Sequence, residues 1–149
     1  MAAPAAEAET LTGRAAVVDG DSIVIGGERI HILDIDAPET GQLCFRRTAT
    51  IDEGAWHCGR EAAAALSTLI GDRRVTCDTM DKGINHGWLA RCTVGGEDLA
   101  GWLAVNGWAV PSHDCKCEVV RSAADQAKAS QRGIWSSAFT MPWEWRKEH

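Results

Sequence analysis

The chain has no tyrosine, only four prolines and two phenylalanines, and fewer basic than acidic side chains. Each shortage removes something. With 15 Lys and Arg against 21 Asp and Glu, the net charge is −6 and the pI about 5.3. Proteins that hold nucleic acid through its phosphates usually carry a basic face, because released counterions supply much of the affinity. Single-stranded nucleic acid is therefore disfavoured as a partner, although one local basic patch would be enough to admit it. Four prolines beside 15 glycines point to many turns and no disordered linker. No apolar run approaches the ~20 residues needed to cross a bilayer. No C-x2-C pair occurs, and the histidines at 31, 57, 86, 113 and 149 lack zinc-finger spacing to the cysteines. Repeats and low-complexity segments are absent.

What is present is enough for one core. A chain of 149 residues is expected to form a single domain, and a monomer is the simplest expectation. Six cysteines are many for a reducing cytosol and ordinary for an exported domain. Residues 1–12 read as a tail. They have neither the basic nor the apolar segment of a signal peptide and resemble the small-residue stretch that follows a cleavage site. A periplasmic or secreted location is the expectation, with the domain spanning 13–149.

From Arg14 the pattern is β. Ala15 to Val18, Ser22 to Ile25 and Glu28 to Ile35 are three short runs joined at Asp19-Gly20-Asp21 and Gly26-Gly27, a β-meander. Asp36-Ala37-Pro38-Glu39 ends the third strand, where proline stops ladder pairing. An irregular loop follows, and then a helix over about 60–70 with an apolar stripe of Ala62, Ala65, Leu66, Leu69 and Ile70. Strands are expected over about 73–80 and 88–94, and helices over about 97–106 and 117–132. Gly71, Gly107 and Gly133 supply the helix stops. Three strands, a helix, two strands and further helices make an α+β, mainly β, chain. They fit a five-stranded OB-fold barrel with about three helices, though other α+β folds share that order.

The chemistry gathers at Val18-Asp19-Gly20-Asp21-Ser22 and, one hairpin later, at Ile35-Asp36-Ala37-Pro38-Glu39-Thr40. Aspartates at the ends of neighbouring strands meet at one barrel rim. Asp21 and Asp36, with backbone carbonyls and water, suit a hard cation such as Ca²⁺. Glu39, three residues on, can face the same pocket and deprotonate a water. The plainer alternative is a turn at Asp19-Gly20 and a polar strand ending, since Asp and Gly belong in turns anyway.

Together these two motifs closely resemble the staphylococcal nuclease (thermonuclease) family, specifically its cysteine-containing bacterial branch. Further matches are Cys44 with Trp56-His57-Cys58-Gly59, Leu89-Ala90-Arg91-Cys92, Arg132-Gly133-Ile134-Trp135 and Pro142-Trp143-Glu144-Trp145-Arg146. The resemblance covers the chain from about residue 12 onward. It implies an OB barrel and Ca²⁺-dependent hydrolysis of DNA and RNA phosphodiesters. It places metal-binding carboxylates at Asp21 and Asp36, an assisting backbone carbonyl at Ala37 and a general base at Glu39.

Two family arginines are replaced. One position holds His31, and the other falls in Gly83-Ile84-Asn85-His86-Gly87, where Gly87 stands for arginine and Asn85 for tyrosine. Losing one donor to a developing oxyanion costs about 10²- to 10³-fold, and an arginine on a transferring phosphoryl group is worth ~10³ to 10⁵. A weak or lost activity is therefore expected. His31 could replace one arginine only in part, because histidine is largely uncharged near neutral pH. His86 is the other nearby cation candidate.

All six cysteines are disulfide candidates, with 15 pairings open. Cys77 and Cys92 are symmetric about the turn at 84–85 and should sit opposite each other. Cys44 and Cys58 would close the loop after the Glu39 segment. Cys115 and Cys117 could pair, stay reduced or bond elsewhere. Of seven tryptophans, Trp102 and Trp108 suit the core, Trp143 and Trp145 suit packing of the C-terminal tail, and Trp88 lies beside a replaced arginine. Three functions remain: a weakened phosphodiesterase; a non-catalytic binding or assembly module, with an envelope or exopolysaccharide role among its uses; and, ranked last, an acidic site that with His31 recruits a transition metal for other chemistry.

Overall fold

A computed structural model describes residues 9–47, 50–82 and 87–149. The expected meander is there: β2 (Ala15–Asp19), β3 (Ser22–Ile25) and β4 (Glu28–Ile32) pair antiparallel in sequence. The long hairpin strands β8 (Val75–Lys82) and β9 (Trp88–Val94) follow later, and β9 joins β4 in parallel, with His31 opposite Leu89. These are the five expected barrel strands.

Two edges enlarge the sheet to seven strands. β1 (Thr10–Gly13) pairs with β8, and β10 (Glu97–Asp98) with β9. Thr10 to Thr12 thus belong to a strand, not to the tail expected over 1–12, because Leu11 is half-buried against the core and the backbone ladders onto Thr76 to Asp78. The main path runs β1-β8-β9-β4-β3-β2. Its first and last strands are consecutive in the chain and separated only by Arg14, so the sheet curls round on itself.

The expected helices form as α2 (Cys58–Ile70), α3 (Leu99–Val105) and α4 (Glu118–Ala129), with a short α1 (Ile51–Gly54) before them. In α2, Ala62, Leu66 and Ile70 are fully buried and Ala65 and Leu69 half-buried. They seal the barrel end against Ile23, Ile30, Ile32 and Val75. Pro142–Glu148, expected only as a packing tail, is a helix (α5), with proline in its first turn where a missing N–H costs nothing.

Two small sheets brace the rim. β5 (Ile35–Asp36) leaves the meander after a turn at Asp34 (φ 74°) and pairs with β11 (Val110–Pro111). β6 (Cys44–Arg46) lies between β7 (Ala55–Trp56) and β12 (Ser137–Ala138), the last entered from the 3-10 turn Gly133–Ser136. Three disulfides are present: Cys44–Cys58, Cys77–Cys92 in direct cross-strand register, and Cys115–Cys117. The first two are wholly buried and the third half-exposed. Such bridges persist in an oxidising compartment. Among the described residues no helix is long and apolar enough to cross a membrane.

Candidate active site

Asp21, Asp36 and Glu39 meet at one cleft of about 880 Å³, at the rim where the meander turns. Asp21 lies in the turn directly before β3, Asp36 closes β5, and Glu39 lies in the loop after it. Close packing holds the three segments in place. A Cβ on Gly20 would lie 2.8 Å from the Cβ atoms of both Ala37 and Ala62, so only glycine lets the β2–β3 turn nest between that loop and α2. A Cβ on Gly59 would lie 1.7 Å from the Glu39 carbonyl oxygen, so the start of α2 sits directly on the Glu39 backbone.

The Asp21 carboxylate is buried. It accepts the Ala37 amide at 2.8 Å and the Ser22 hydroxyl at 3.3 Å. Its pKa is raised well above the usual aspartate value, chiefly by burial and then by the neighbouring Asp19 carboxylate, against the lowering effect of the Ala37 amide. Asp19, which looks like a plain turn residue in the sequence, is thus part of the acidic cluster. Ala37, expected to offer its carbonyl, is tied to Asp21 through its amide.

His31 lies in the cleft on the Asp21 side. Its Nδ1 is 3.8 Å from Asp21 Oδ1 and 3.4 Å from the Ser22 hydroxyl. Gly87 and Trp88 also line the cleft, with Arg29 and Lys82, whose ammonium sits 5.2 Å above the Trp88 ring. His86 and the turn residues Gly83 to Asn85 lie outside the described residues.

The side chain that sequence inspection missed is Arg146. It reaches the cleft from α5 and grips Asp36 through two parallel bonds of 2.9 and 2.7 Å, with a third of 2.8 Å to Glu39 Oε1. The Asp36 bonds are the main reason its pKa rises above the ordinary arginine value. The cleft is therefore not stripped of arginine, as the replacements at His31 and Gly87 suggest. Gln42 was missed as well. It is wholly buried, its backbone N–H donates to the Glu39 carbonyl at 2.8 Å, and its side-chain amide donates to the Thr140 carbonyl at 2.6 Å. It ties the Glu39 loop to the segment that enters α5. Trp143 packs beside Cys44–Cys58 and against His113, and Trp145 rests on Gly41.

The carboxylates at the Asp21 end offer oxygen, which suits a hard cation, with the His31 imidazole beside them. Asp21 and Asp36 could hold one with backbone oxygen and water. A bidentate arginine occupies two of the roughly four lone-pair sites of Asp36, which leaves sites free. Among the described residues, the three-residue ligand grouping within 4.8 Å is Asp34 with Cys115 and Cys117, whose sulfurs are already joined to each other. The carboxylates of the cleft are more widely spread.

A barrel of this order with carboxylates at this rim defines a nuclease-type OB domain, and comparison places it. The model for "Staphylococcal nuclease homologue" matches residues 29–137, and the chain belongs to that family. It is 35% identical over 138 residues to the succinoglycan biosynthesis protein ExoI of Rhizobium meliloti (strain 1021), covering 91% of this chain and 70% of that protein. The matched family span begins after Asp21 and ends before α5, so Arg146 lies beyond it.

Proposed function

We propose that the domain is a slow, divalent-cation-dependent phosphodiester hydrolase acting on single-stranded DNA or RNA. One observation carries this: Asp21, Asp36 and Glu39 share one cleft, and an arginine is bonded to two of them. Glu39 is the base. Arg146 holds its Oε1, and among the described residues no donor reaches Oε2, which stays free to accept a proton. In the step proposed, Glu39 takes a proton from water while the water oxygen forms a bond to phosphorus. One P–O ester bond breaks, and the departing alkoxide takes a proton from solvent. The products are an alcohol and a phosphomonoester. A bound Ca²⁺, held by Asp21 and Asp36, would supply positive charge to the phosphate oxygens.

The test is cleavage of single-stranded DNA and RNA with Ca²⁺, wild type beside Glu39→Gln. A base of this kind contributes about 10²- to 10⁴-fold, so the variant should lose at least 10²-fold in kcat and keep its melting temperature. Cleavage unchanged by the substitution would refute the assignment. A second function, favoured by the name of the relative, is a non-catalytic module in exopolysaccharide production. Absence of cleavage in both samples would favour it.

A further inference from the structure

We propose that Arg146 is the phosphate-binding residue of this cleft: α5 delivers, from the far end of the chain, the positive charge that His31 and Gly87 do not supply. The inference rests on the phosphodiester function above.

A guanidinium has five N–H bonds in one plane. Nη1 spends both of its hydrogens, one on Asp36 Oδ1 and one on Glu39 Oε1, and Nη2 spends one on Asp36 Oδ2. The two that remain are Nε–H and the second hydrogen of Nη2, which have no acceptor among the described residues. They point the same way along one edge of the plane, the fork that matches two oxygens of a phosphate. The side chain is 45% exposed, so that edge has room for a ligand.

Its placement is also built from both sides. Pro142 is buried, Trp143 packs beside His113, and Gln42 joins the Glu39 loop to the start of α5. The other cations at the cleft are placed differently. Lys82 lies over the Trp88 ring, and Arg29 has its stem beside Gly87. Arg146 alone among the described residues bonds to the carboxylate of the proposed base, so an anion on its free edge would lie next to the water that Glu39 activates.

The probes are a thymidine dinucleotide and its uncharged methylphosphonate analogue, titrated by calorimetry in Ca²⁺ into wild type, Arg146→Ala and Arg146→Lys. The alanine variant should bind the dinucleotide at least tenfold more weakly and the neutral analogue within twofold of wild type. Lysine, which lacks the fork, should recover less than a third of the loss. Alanine and lysine variants that both bind the dinucleotide within twofold of wild type overturn the proposal. So does an equal loss of both probes, which would mark a purely structural role. Wild type that binds neither probe at millimolar concentration also overturns it. Cleavage by wild type is followed in parallel. Arginine-dependent binding without cleavage removes the hydrolase and keeps the anion site. Cleavage retained within tenfold in Arg146→Ala removes the anion site and keeps the hydrolase.

Discussion

The two walls of the cleft are made in different ways. The barrel wall carries Asp19 and Asp21 at the β2–β3 turn and Asp36 on β5, brought together by the one hairpin between them. Its carboxylates are crowded, Asp21 and Asp36 are buried, and of the three only Asp36 has an arginine against it. The other wall carries Glu39 and Arg146, which lie 107 residues apart and meet because a loop, a buried glutamine and a C-terminal helix are fastened together. There the charges are paired and half-open to solvent. One wall is fixed by the barrel itself, and the other depends on its fastenings.

That contrast can be tested by disturbing one wall at a time. Replacing Cys44 and Cys58 with serine opens a loop with a sequence separation of 14 and should cost about 3 kcal/mol by loop-closure entropy. The loss would appear as a lower denaturation midpoint. Dinucleotide binding should weaken more than Ca²⁺ affinity, because the bridge closes the loop beside Glu39 directly and reaches the barrel wall only through α2. An equal fall in both would show that the walls are not independent.

Gly59→Ala is the next largest. Its methyl group collides with the Glu39 carbonyl, and overpacking of this kind typically costs about 1–3 kcal/mol. Cleavage should fall further than stability predicts, as read by kcat against melting temperature.

Asp21→Asn acts on the barrel wall alone. Asp21 holds its proton to unusually high pH, so without metal it stabilises the fold in its neutral form. That contribution is full below the ordinary aspartate pKa and is lost as pH rises through the raised folded value. The asparagine variant lacks this loss. Without metal at neutral pH it should be the more stable protein, by about 1 kcal/mol, the common scale for relieving a strained site. Added Ca²⁺ should raise the melting temperature of wild type and leave the variant unmoved. A wild type whose metal-free stability is flat across the acid range would contradict the first part.

Lys147→Ala should do least. Its pair with Glu144 is exposed on α5, where such pairs contribute under about 1 kcal/mol. Melting temperature and binding should both stay within error if tryptophan packing, not surface charge, holds the helix.

Much of the barrel wall could be read from the chain. Hairpin spacing located the meander, symmetry about residues 84–85 put Cys77 opposite Cys92, and the 62–70 stripe marked the face of α2. Those signals are local, arising from periodicity and turn chemistry over a few residues. The other wall has no such signature. Arg146 sits in a short, tryptophan-rich segment whose helical character comes from packing, and nothing in its neighbours points to Asp36. Asp19 was hidden differently, since a turn aspartate looks the same whether or not it perturbs a neighbour's proton. The β1 edge looked like tail because four residues, half of them exposed, leave little pattern.

That β1 edge also bears on how the chain reaches this shape. Thr10 pairs with Asp78, and Ile30 with Trp88, so the two closures that turn a meander into a barrel span 68 and 58 residues. Contacts this distant along the chain put folding in the slower, millisecond-to-second class. The β8–β9 hairpin, with a sequence separation of only 15 between its bridged cysteines, can form from local contacts alone. Its oxidation can therefore precede closure, giving the growing barrel a covalently fixed edge onto which both β4 and β1 later dock.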